Sequence, residues 1–174
     1  MHQALVQTVR AKLEHAAVAE RLTQVLAAQD PLTGLLNPTG LRQWVEDQVA
    51  SRPEPVRIGV AVANVERLSA INELFGNAEG DRVLATLGGR LVTLERGVAA
   101  ARLAGDEFAL VAVLDHEIDV VALQDRLLHA VLEPFVVHSQ RLEVSLRTAI
   151  AAGAPHELDQ LLARAAARVR DQRA

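Results

Sequence analysis

Apolar residues recur at helical spacing over residues 2–28, and neither glycine nor proline interrupts them. This pattern predicts one long helix that ends at Asp30-Pro31, because the residue before a proline is disfavoured in the helical region. The apolar stripe drifts around the helix and is rich in alanine, so it does not follow a strict heptad. Two interpretations stay open: the helix packs on its own domain, or it forms a stalk that pairs with a second copy of the chain.

Downstream, short apolar runs alternate with amphipathic segments. The predicted strands span residues 56–65, 99–102, 107–114, 135–138 and 142–151, and the predicted helices span residues 38–50, 68–74, 80–94, 115–132 and 155–170. Asn37 is expected to cap the first of these helices through its side-chain oxygen. Turn residues predict two hairpins, one at residues 103–106 and one at Ser139-Gln140. The order of elements favours an α/β fold, an α+β sandwich in which helices flank a mixed sheet.

Composition and charge narrow the class of protein. The chain has 174 residues, of which 50% are hydrophobic and 23% charged, as is typical of one globular domain with a helix added. It contains no cysteine, which excludes disulfides, zinc–thiolate sites and cysteine nucleophiles. A net charge of −4 and few aromatic residues argue against a nucleic-acid partner. No apolar run approaches the roughly 18 residues that span a bilayer, and the N-terminus lacks a secretory pattern, so we expect no membrane insertion and a cytoplasmic location.

Two polar segments stand out chemically. Residues 64–66, Asn-Val-Glu, end the first predicted strand, and residues 105–107, Gly-Asp-Glu, form a hairpin tip. Oxygen ligands at two such turns suit Mg²⁺ bound to a nucleoside triphosphate, and a glycine lets the backbone approach a ligand. The alternative is a hairpin turn whose acidic residues are merely solvated.

Several motifs resemble one known family. Residues 30–37, Asp-Pro-Leu-Thr-Gly-Leu-Leu-Asn, resemble the opening of the GGDEF family of diguanylate cyclases, and residues 102–108, Arg-Leu-Ala-Gly-Asp-Glu-Phe, resemble its signature hairpin. Between them, Ile-Asn-Glu at residues 71–73, Gly76 and Gly80-Asp81 match the family's spacing. The resemblance covers about residues 29–173. It divides the chain into a signalling or dimerisation helix (residues 1–29) and a GGDEF-like domain (residues 30–174).

The resemblance implies a central mixed five-stranded sheet flanked by helices, similar to the palm of nucleotide cyclases and polymerases, with an N-terminal helical stalk. In the family, two domains meet as a homodimer and each holds one GTP. The 3′-hydroxyl of each nucleotide attacks the α-phosphate of the other, which gives cyclic di-GMP and two pyrophosphates. Mg²⁺ or Mn²⁺ ions lower the hydroxyl pKa and neutralise the developing phosphate charge.

Carried over by position, the resemblance also implies roles for individual residues. The catalytic positions are Glu107 and Arg102, the substrate-binding positions are Asn72, Asp81, Gly105 and Arg173, and the metal positions are Asp106, Asn64 and Val65. Asn72 and Asp81 would hydrogen-bond the guanine edge, because an amide and a carboxylate together supply the donors and acceptors that it needs. Their alternatives are structural: Asn72 as a helix cap, and Asp81 as a first-turn charge favourable to the helix dipole. For Arg173, the alternative is a solvated basic helix end.

Two of the departures from the family remove a charged side chain, and a third adds a methyl group. Asn64 stands where the family has its first metal aspartate, Ser69 where it has a phosphate-binding lysine, and Ala104 where the signature has its first glycine. The family's Ser-Ile-Gly strand reads Arg-Thr-Ala at residues 147–149. The family's product-inhibition motif would fall on residues 95–98, Glu-Arg-Gly-Val, and is absent. We therefore expect no feedback by cyclic di-GMP there.

Three hypotheses follow. The first is a catalytically impaired GGDEF module that binds GTP or GDP, dimerises and regulates, with a weak or vestigial Mg²⁺ or Mn²⁺ site. The second is an active diguanylate cyclase with an altered metal site, in which Glu66 or water replaces the missing ligand. The third is a purely structural protein-interaction domain. The resemblance also implies an upstream sensor or a protein partner, which the sequence does not identify.

Overall fold

The computed structural model describes residues 2–92, 97–115 and 118–172. These residues form the helices α1 (His2–Ala28), α2 (Pro38–Ala50), α3 (Leu68–Phe75), α4 (Asn77–Val92), α5 (Val120–His129) and α6 (Leu158–Asp171). They form the strands β1 (Ile58–Val65), β2 (Val98–Ala104), β3 (Glu107–Val113), β4 (Phe135–Val137), β5 (Gln140–Leu142) and β6 (Leu146–Gly153), and a 3₁₀ turn at Pro155–Glu157. None of the described helices is long and apolar enough to cross a bilayer.

The main sheet has the order β2-β3-β1-β6, and each neighbouring pair is antiparallel. β1 lies at the centre because its residues, Ile-Gly-Val-Ala-Val-Ala-Asn-Val, are apolar or small at nearly every position, and all eight are buried. Its last residues set the register of the site: Asn64 faces Glu107 on β3 and Arg147 on β6. The expected α/β fold with flanking helices is confirmed.

Helices cover both faces of this sheet and complete two apolar cores. On one face, α2 and α6 pack against alternate residues of β1 that include Val60 and Val62. On the other face, α4 and α5 pack against the intervening residues, which include Ala61 and Ala63. Because successive strand residues point to opposite faces, β1 contributes to both cores, and its end is rigidly placed.

The sheet differs from the expected mixed five-stranded one. The main sheet has four strands, because the predicted strand at residues 135–138 forms β4, which pairs with β5 in a separate sheet. A parallel contact at the edge of the main sheet is limited to a single-residue bridge between Leu36 and Ala101, with the Leu36 N–H donating to the Ala100 carbonyl at 3.1 Å. The contact is one residue long, since the preceding turn contains Gly34 at a φ of +72° and α2 begins directly after its cap at Asn37.

Several element boundaries also need correction. The helix predicted from residue 80 begins at Asn77, and the helix predicted from residue 155 begins at Leu158, after the 3₁₀ turn. The predicted strand over residues 142–151 is split: β5 pairs with β4 in a separate two-stranded sheet, while β6 pairs with β1. Of the predicted helix over residues 115–132, residues 116–117 lie outside the described part of the chain. α5 begins at Val120, because Asp119 caps it by accepting a hydrogen bond from the Ala122 N–H, and it ends at His129. By contrast, α2 and its Asn37 cap lie where the sequence places them.

The N-terminal helix stands apart from the domain. Its large apolar side chains are exposed, with Leu13 at 66% and Leu22 at 58% of full accessibility. Its C-terminal end alone is tied down, by a 2.7 Å hydrogen bond from the Asn37 side chain to the carbonyl of Ala27 and by the close approach of the Ala28 carbonyl to Gly40. Packing of this helix along its own domain is therefore excluded for the described residues.

Two neighbouring glycines of α4 provide a matched test of the packing under the site. A Cβ on Gly88 would lie 2.7 Å from the Thr33 Cβ, whereas one on Gly89 would meet no described atom within 4 Å. We expect Gly89→Ala to raise the free energy of unfolding by about 0.5–1 kcal/mol through helix propensity. We expect Gly88→Ala to lower it by about 1–3 kcal/mol, because the 30–37 loop must shift. Urea unfolding measures both, and equal stabilisation by the two variants would contradict this packing.

Candidate functional site

A cavity of about 760 Å³ opens at the carboxyl end of β1, beside the β2–β3 hairpin and helices α3 and α4. Its wall contains seven of the predicted site residues: Asn64, Val65, Asn72, Asp81, Arg102, Gly105 and Asp106. Glu107 is not part of this wall, but it lies opposite Asn64 in the β1–β3 register. Arg173 lies outside the described residues, so its role stays a prediction.

The two polar segments converge through the backbone. The Val65 N–H donates to the carbonyl oxygen of Asp106 at 3.0 Å, which joins the end of β1 to the hairpin tip. The tip turns at Gly105, whose φ of +44° is a conformation that favours glycine. Asn64 and Asp106 therefore lie on one cavity, as the sequence predicts.

Asp30 and Arg102 connect the loop after α1 to this tip. Nη1 of Arg102 lies 3.2 Å from each carboxylate oxygen of Asp30, and Nε of Arg102 donates to the Gly105 carbonyl at 2.8 Å. Thr33 donates its backbone N–H and its hydroxyl to Oδ2 of Asp30, at 2.9 and 2.7 Å. Burial alone raises the pKa of Asp30, but these hydrogen bonds and the charge of Arg102 outweigh it and lower the pKa below its ordinary value.

Asn72 and Asp81 form the helical side of the cavity, and neither has the structural role that the sequence left open. Asn72 lies inside α3, which begins after Arg67 and ends at Gly76, so it caps neither end. Because α4 begins at Asn77, Asp81 falls beyond the first turn. Oδ1 of Asn72 is buried without a hydrogen-bond partner among the described residues, and it packs so closely on Gly80 that a Cβ there would overlap it. The structural alternatives for both residues are therefore wrong, and their binding roles stay predictions.

Glu66 does not face the cavity as a replacement ligand. Its carboxylate lies 2.8 Å from Nε of Arg147 and accepts a 2.7 Å hydrogen bond from the Ser145 hydroxyl. Its backbone N–H donates to the Ser145 carbonyl at 2.9 Å. The contacts of Glu66 are therefore with the loop that leads into β6 and with the first residues of that strand.

Two arginines in the cavity wall, Arg67 and Arg147, are not among the predicted site residues. Arg147 could be found from the sequence, because it stands where the resembled pattern has serine. Arg67 gives no such signal: it is exposed and becomes part of the wall because its backbone is left-handed, with a φ of 59°.

The residues present do not fit the expected divalent metal site. At the end of β1 the wall offers the neutral amide of Asn64, one carboxylate from Asp106 and, from Val65, only a backbone oxygen. Mg²⁺ prefers carboxylates, and here the register partner of Asn64 is the cationic Arg147. Among the described residues, no group of three acidic or histidine side chains could hold a metal ion.

Comparisons with known proteins agree along most of the chain. The family model described as diguanylate cyclase, GGDEF domain, matches residues 27–173. Rv1354c, an uncharacterized protein of Mycobacterium tuberculosis, is 30% identical over 165 residues, and the match covers 92% of this chain and 26% of that protein. The diguanylate cyclase DgcP of Escherichia coli is 31% identical over 123 residues, covering 66% of this chain and 36% of DgcP. Relatives named cyclic di-GMP phosphodiesterases match as well. The chain thus spans about a quarter to a third of the length of these two curated relatives.

A solved structure shares the fold, including the leading helix. The coiled coil and GGDEF domain of DgcB from Caulobacter crescentus, in complex with c-di-GMP, matches with a TM-score of 0.80 at 18% identity. The match covers 98% of this chain and 93% of that chain. A helix followed by a helix-flanked sheet is therefore an arrangement that this chain shares with a solved protein.

The Asp30–Arg102 pair predicts a dependence of stability on pH. The folded-state pKa of Asp30 is lowered, so its contribution is fully present above the unfolded pKa of about 3.9 and is lost as the pH falls through the folded pKa. We expect Asp30→Asn to lower the free energy of unfolding by about 1–3 kcal/mol at neutral pH, with a difference that shrinks in acid. Unfolding measured between pH 2 and 7 tests this.

The matched control is Asp159→Asn, which breaks an exposed aspartate–arginine pair with Arg42. We expect that change to stay within about 0.5 kcal/mol at every pH. If Asp30→Asn behaved like this control, the pair would not hold the loop to the hairpin.

Proposed function

The chain belongs to the GGDEF family of diguanylate cyclase domains, and from that membership we propose that it is a signalling module that binds a guanine nucleotide and whose cyclase activity is impaired. The observation that carries the proposal is the wall of the cavity. It keeps the residues that suit a guanine base, Asn72 and Asp81, while Asn64 at the end of β1 has lost the charge that the chemistry needs.

Base recognition is supported by the chemistry of Asn72 and Asp81. A carboxylate accepts from the N1–H and N2–H groups of guanine, and an amide can both donate and accept, so together the two side chains select guanine over adenine. The cavity, about 760 Å³, is in the range of nucleotide pockets. GTP or GDP is the proposed ligand, which implies a cytoplasmic location.

Impaired turnover is supported by the substitutions at the phosphate end. In the cyclase reaction the 3′-oxygen of one GTP bonds to the α-phosphorus of another, the bond from that phosphorus to the bridging oxygen breaks, and pyrophosphate leaves. Negative charge develops during this step. Asn64 in place of a carboxylate and Ser69 in place of a cation each remove about 10²- to 10³-fold in rate, by analogy with the loss of one electrostatic group.

Dimerisation and regulation are supported by α1. Its exposed apolar side chains offer a surface for a second copy, which forms the proposed homodimer. From its end, contacts run through Asn37 to the 30–37 loop and from Asp30 through Arg102 to Gly105. A sensor or protein partner that moves the helix at residues 1–29 would therefore act on the cavity of the domain at residues 30–174 through these contacts.

A second candidate function is an active diguanylate cyclase with an altered site. It is favoured by the signature hairpin, since Asp106 and Glu107 are both present and Arg102 holds the tip. The structural commitment of Glu66 to Arg147 counts against Glu66 as a substitute ligand in this mechanism. The third hypothesis, a purely structural domain, predicts that no nucleotide binds.

Calorimetry with GTP, GDP and ATP tests the ligand. We expect guanine nucleotides to bind in preference to ATP. Asp81→Asn should weaken GTP binding by at least about tenfold through the loss of a charged hydrogen bond to the base, while ATP binding stays unchanged. Asp47→Asn, on the exposed side of α2, removes the same charge outside the cavity and should leave binding unchanged.

The same samples, incubated with GTP and Mg²⁺ or Mn²⁺ and separated by chromatography, report turnover. Little or no cyclic di-GMP together with GTP binding supports the impaired module. Cyclic di-GMP at the rate of ordinary cyclases would establish the second candidate instead. No binding of any nucleotide at millimolar concentration would leave the structural domain.

Dimerisation is tested by charges on α1. Leu13→Glu combined with Leu22→Glu places two carboxylates on the exposed apolar surface, and we expect the sedimentation coefficient to fall from that of a dimer to that of a monomer. Val136→Glu is the control, because Val136 is equally exposed but lies on β4. If the wild-type chain sediments as a monomer at high concentration, α1 does not pair copies of this chain.

A further inference from the structure

We propose that Arg147, with Arg67, binds the phosphate chain of the nucleotide directly, so that nucleotide binding does not require a divalent cation. This inference rests on the proposed function, since it concerns the same cavity. It assigns the phosphate-binding role to two arginines for which the sequence pattern predicts none.

Arg147 is held so that its guanidinium is pre-positioned. It is the β6 partner of Asn64, its side chain is 23% exposed, and it lines the cavity. Its Nε lies 2.8 Å from the Glu66 carboxylate, which makes an ion pair without the geometry of a hydrogen bond, and Ser145 holds that carboxylate at 2.7 Å. The two terminal nitrogens of Arg147 make no hydrogen bond to any described residue. A guanidinium with one side anchored and its terminal donors available is suited to bidentate contact with a phosphate.

Arg67 supplies a second cation at the rim. Its backbone is in the left-handed region, with φ 59° and ψ 23°, a conformation that favours glycine over residues with a Cβ. The residue joins β1 to α3, and its exposed side chain lines the cavity with no ion pair among the described residues. Of the arginines in the wall, Arg102 is already committed to Asp30 and Gly105, so Arg67 and Arg147 are the two that remain for a ligand.

The same arrangement disfavours a metal at Asn64. Directly opposed residues on adjacent antiparallel strands have Cβ atoms about 5 Å apart, and both Asn64 and Arg147 line the cavity, so a cation on Asn64 would share the cavity with the charge of Arg147. Like charges within one cavity repel, and Asn64 provides no negative charge to offset the repulsion. A polyphosphate, by contrast, is attracted by both arginines. The neutral Asn64 and the cationic Arg147 are thus chemically consistent with each other.

The experiment measures binding of a GTP analogue whose α–β bridge cannot be cleaved, by calorimetry, in EDTA and in Mg²⁺. We expect the wild-type dissociation constant to be the same within about threefold in the two buffers. Arg147→Ala should weaken binding in EDTA by about tenfold to hundredfold, the loss of one charge-assisted contact. Arg141→Ala, on exposed β5 outside the cavity, is the matched control and should change nothing.

Two further variants guard against a merely structural effect. Arg67→Ala removes an exposed side chain without disturbing the Glu66 pair and should weaken binding several-fold. Asn64→Asp combined with Arg147→Ser restores the family's pattern, and its binding should become Mg²⁺-dependent. Guanosine, which has no phosphate, should bind wild type and Arg147→Ala equally, and circular dichroism confirms that the variants fold.

The outcomes separate the two proposals. Wild-type binding that appears only with Mg²⁺, or that Arg147→Ala leaves unchanged in EDTA, overturns the phosphate role of the arginines and leaves guanine-nucleotide binding intact. Absence of binding in both buffers overturns both proposals. Metal-independent binding that falls with both arginine variants, and not with Arg141→Ala, supports the inference.

Discussion

The pairing of Asp30 with Arg102 is the interaction on which the arrangement of the site depends. It joins the loop after α1 to the hairpin tip across 72 residues of sequence. Both side chains are mostly shielded from water, with 18% of Asp30 and 15% of Arg102 exposed. Because Arg102 also binds the Gly105 carbonyl, the tip cannot move without disturbing the loop. The Val65–Asp106 backbone bond then fixes the tip to the central strand. Three segments that are far apart in sequence are thereby held around one cavity.

Periodicity and turn chemistry were enough for most of the fold. The apolar run that ends at Val65 predicted the central strand, and the Asn37 cap with Pro38 predicted α2 at its observed bounds. What failed depended on tertiary pairing. Whether residues 140–142 continue into β6 is decided by which strand they pair with, and local sequence does not encode that choice. The strand at residues 135–138 lies where the sequence predicts it, but its pairing with residues 140–142 in a separate sheet, which leaves four strands in the main one, depends on the same tertiary choice.

The sequence predicted which residues line the cavity better than it predicted the balance of charge within it. Motif spacing placed Asn72, Asp81 and Asp106 on a common cavity, because spacing reflects the fold. Motif spacing gave no indication of Arg67, because the contribution of that residue depends on its backbone conformation. It also suggested Glu66 as an available metal ligand, although the Glu66 carboxylate forms an ion pair with Arg147. Motifs record which residues reach a site, whereas the balance of charge within it depends on neighbours across the sheet. For a GGDEF domain with substituted positions, cross-strand partners are therefore as informative as the signature itself.

The exposed length of α1 has a mechanical consequence. At 1.5 Å per residue its 27 residues extend for about 40 Å, and only the last turn is anchored to the domain. A tilt of about ten degrees at that anchor would displace the free end by about 7 Å, from the same geometry. Conversely, a large displacement imposed on the free end of the helix produces only a small rotation at Asn37 and Gly40. A rigid helix anchored at one end in this way converts large displacements of its free end into small angular changes, which a packed core can accommodate.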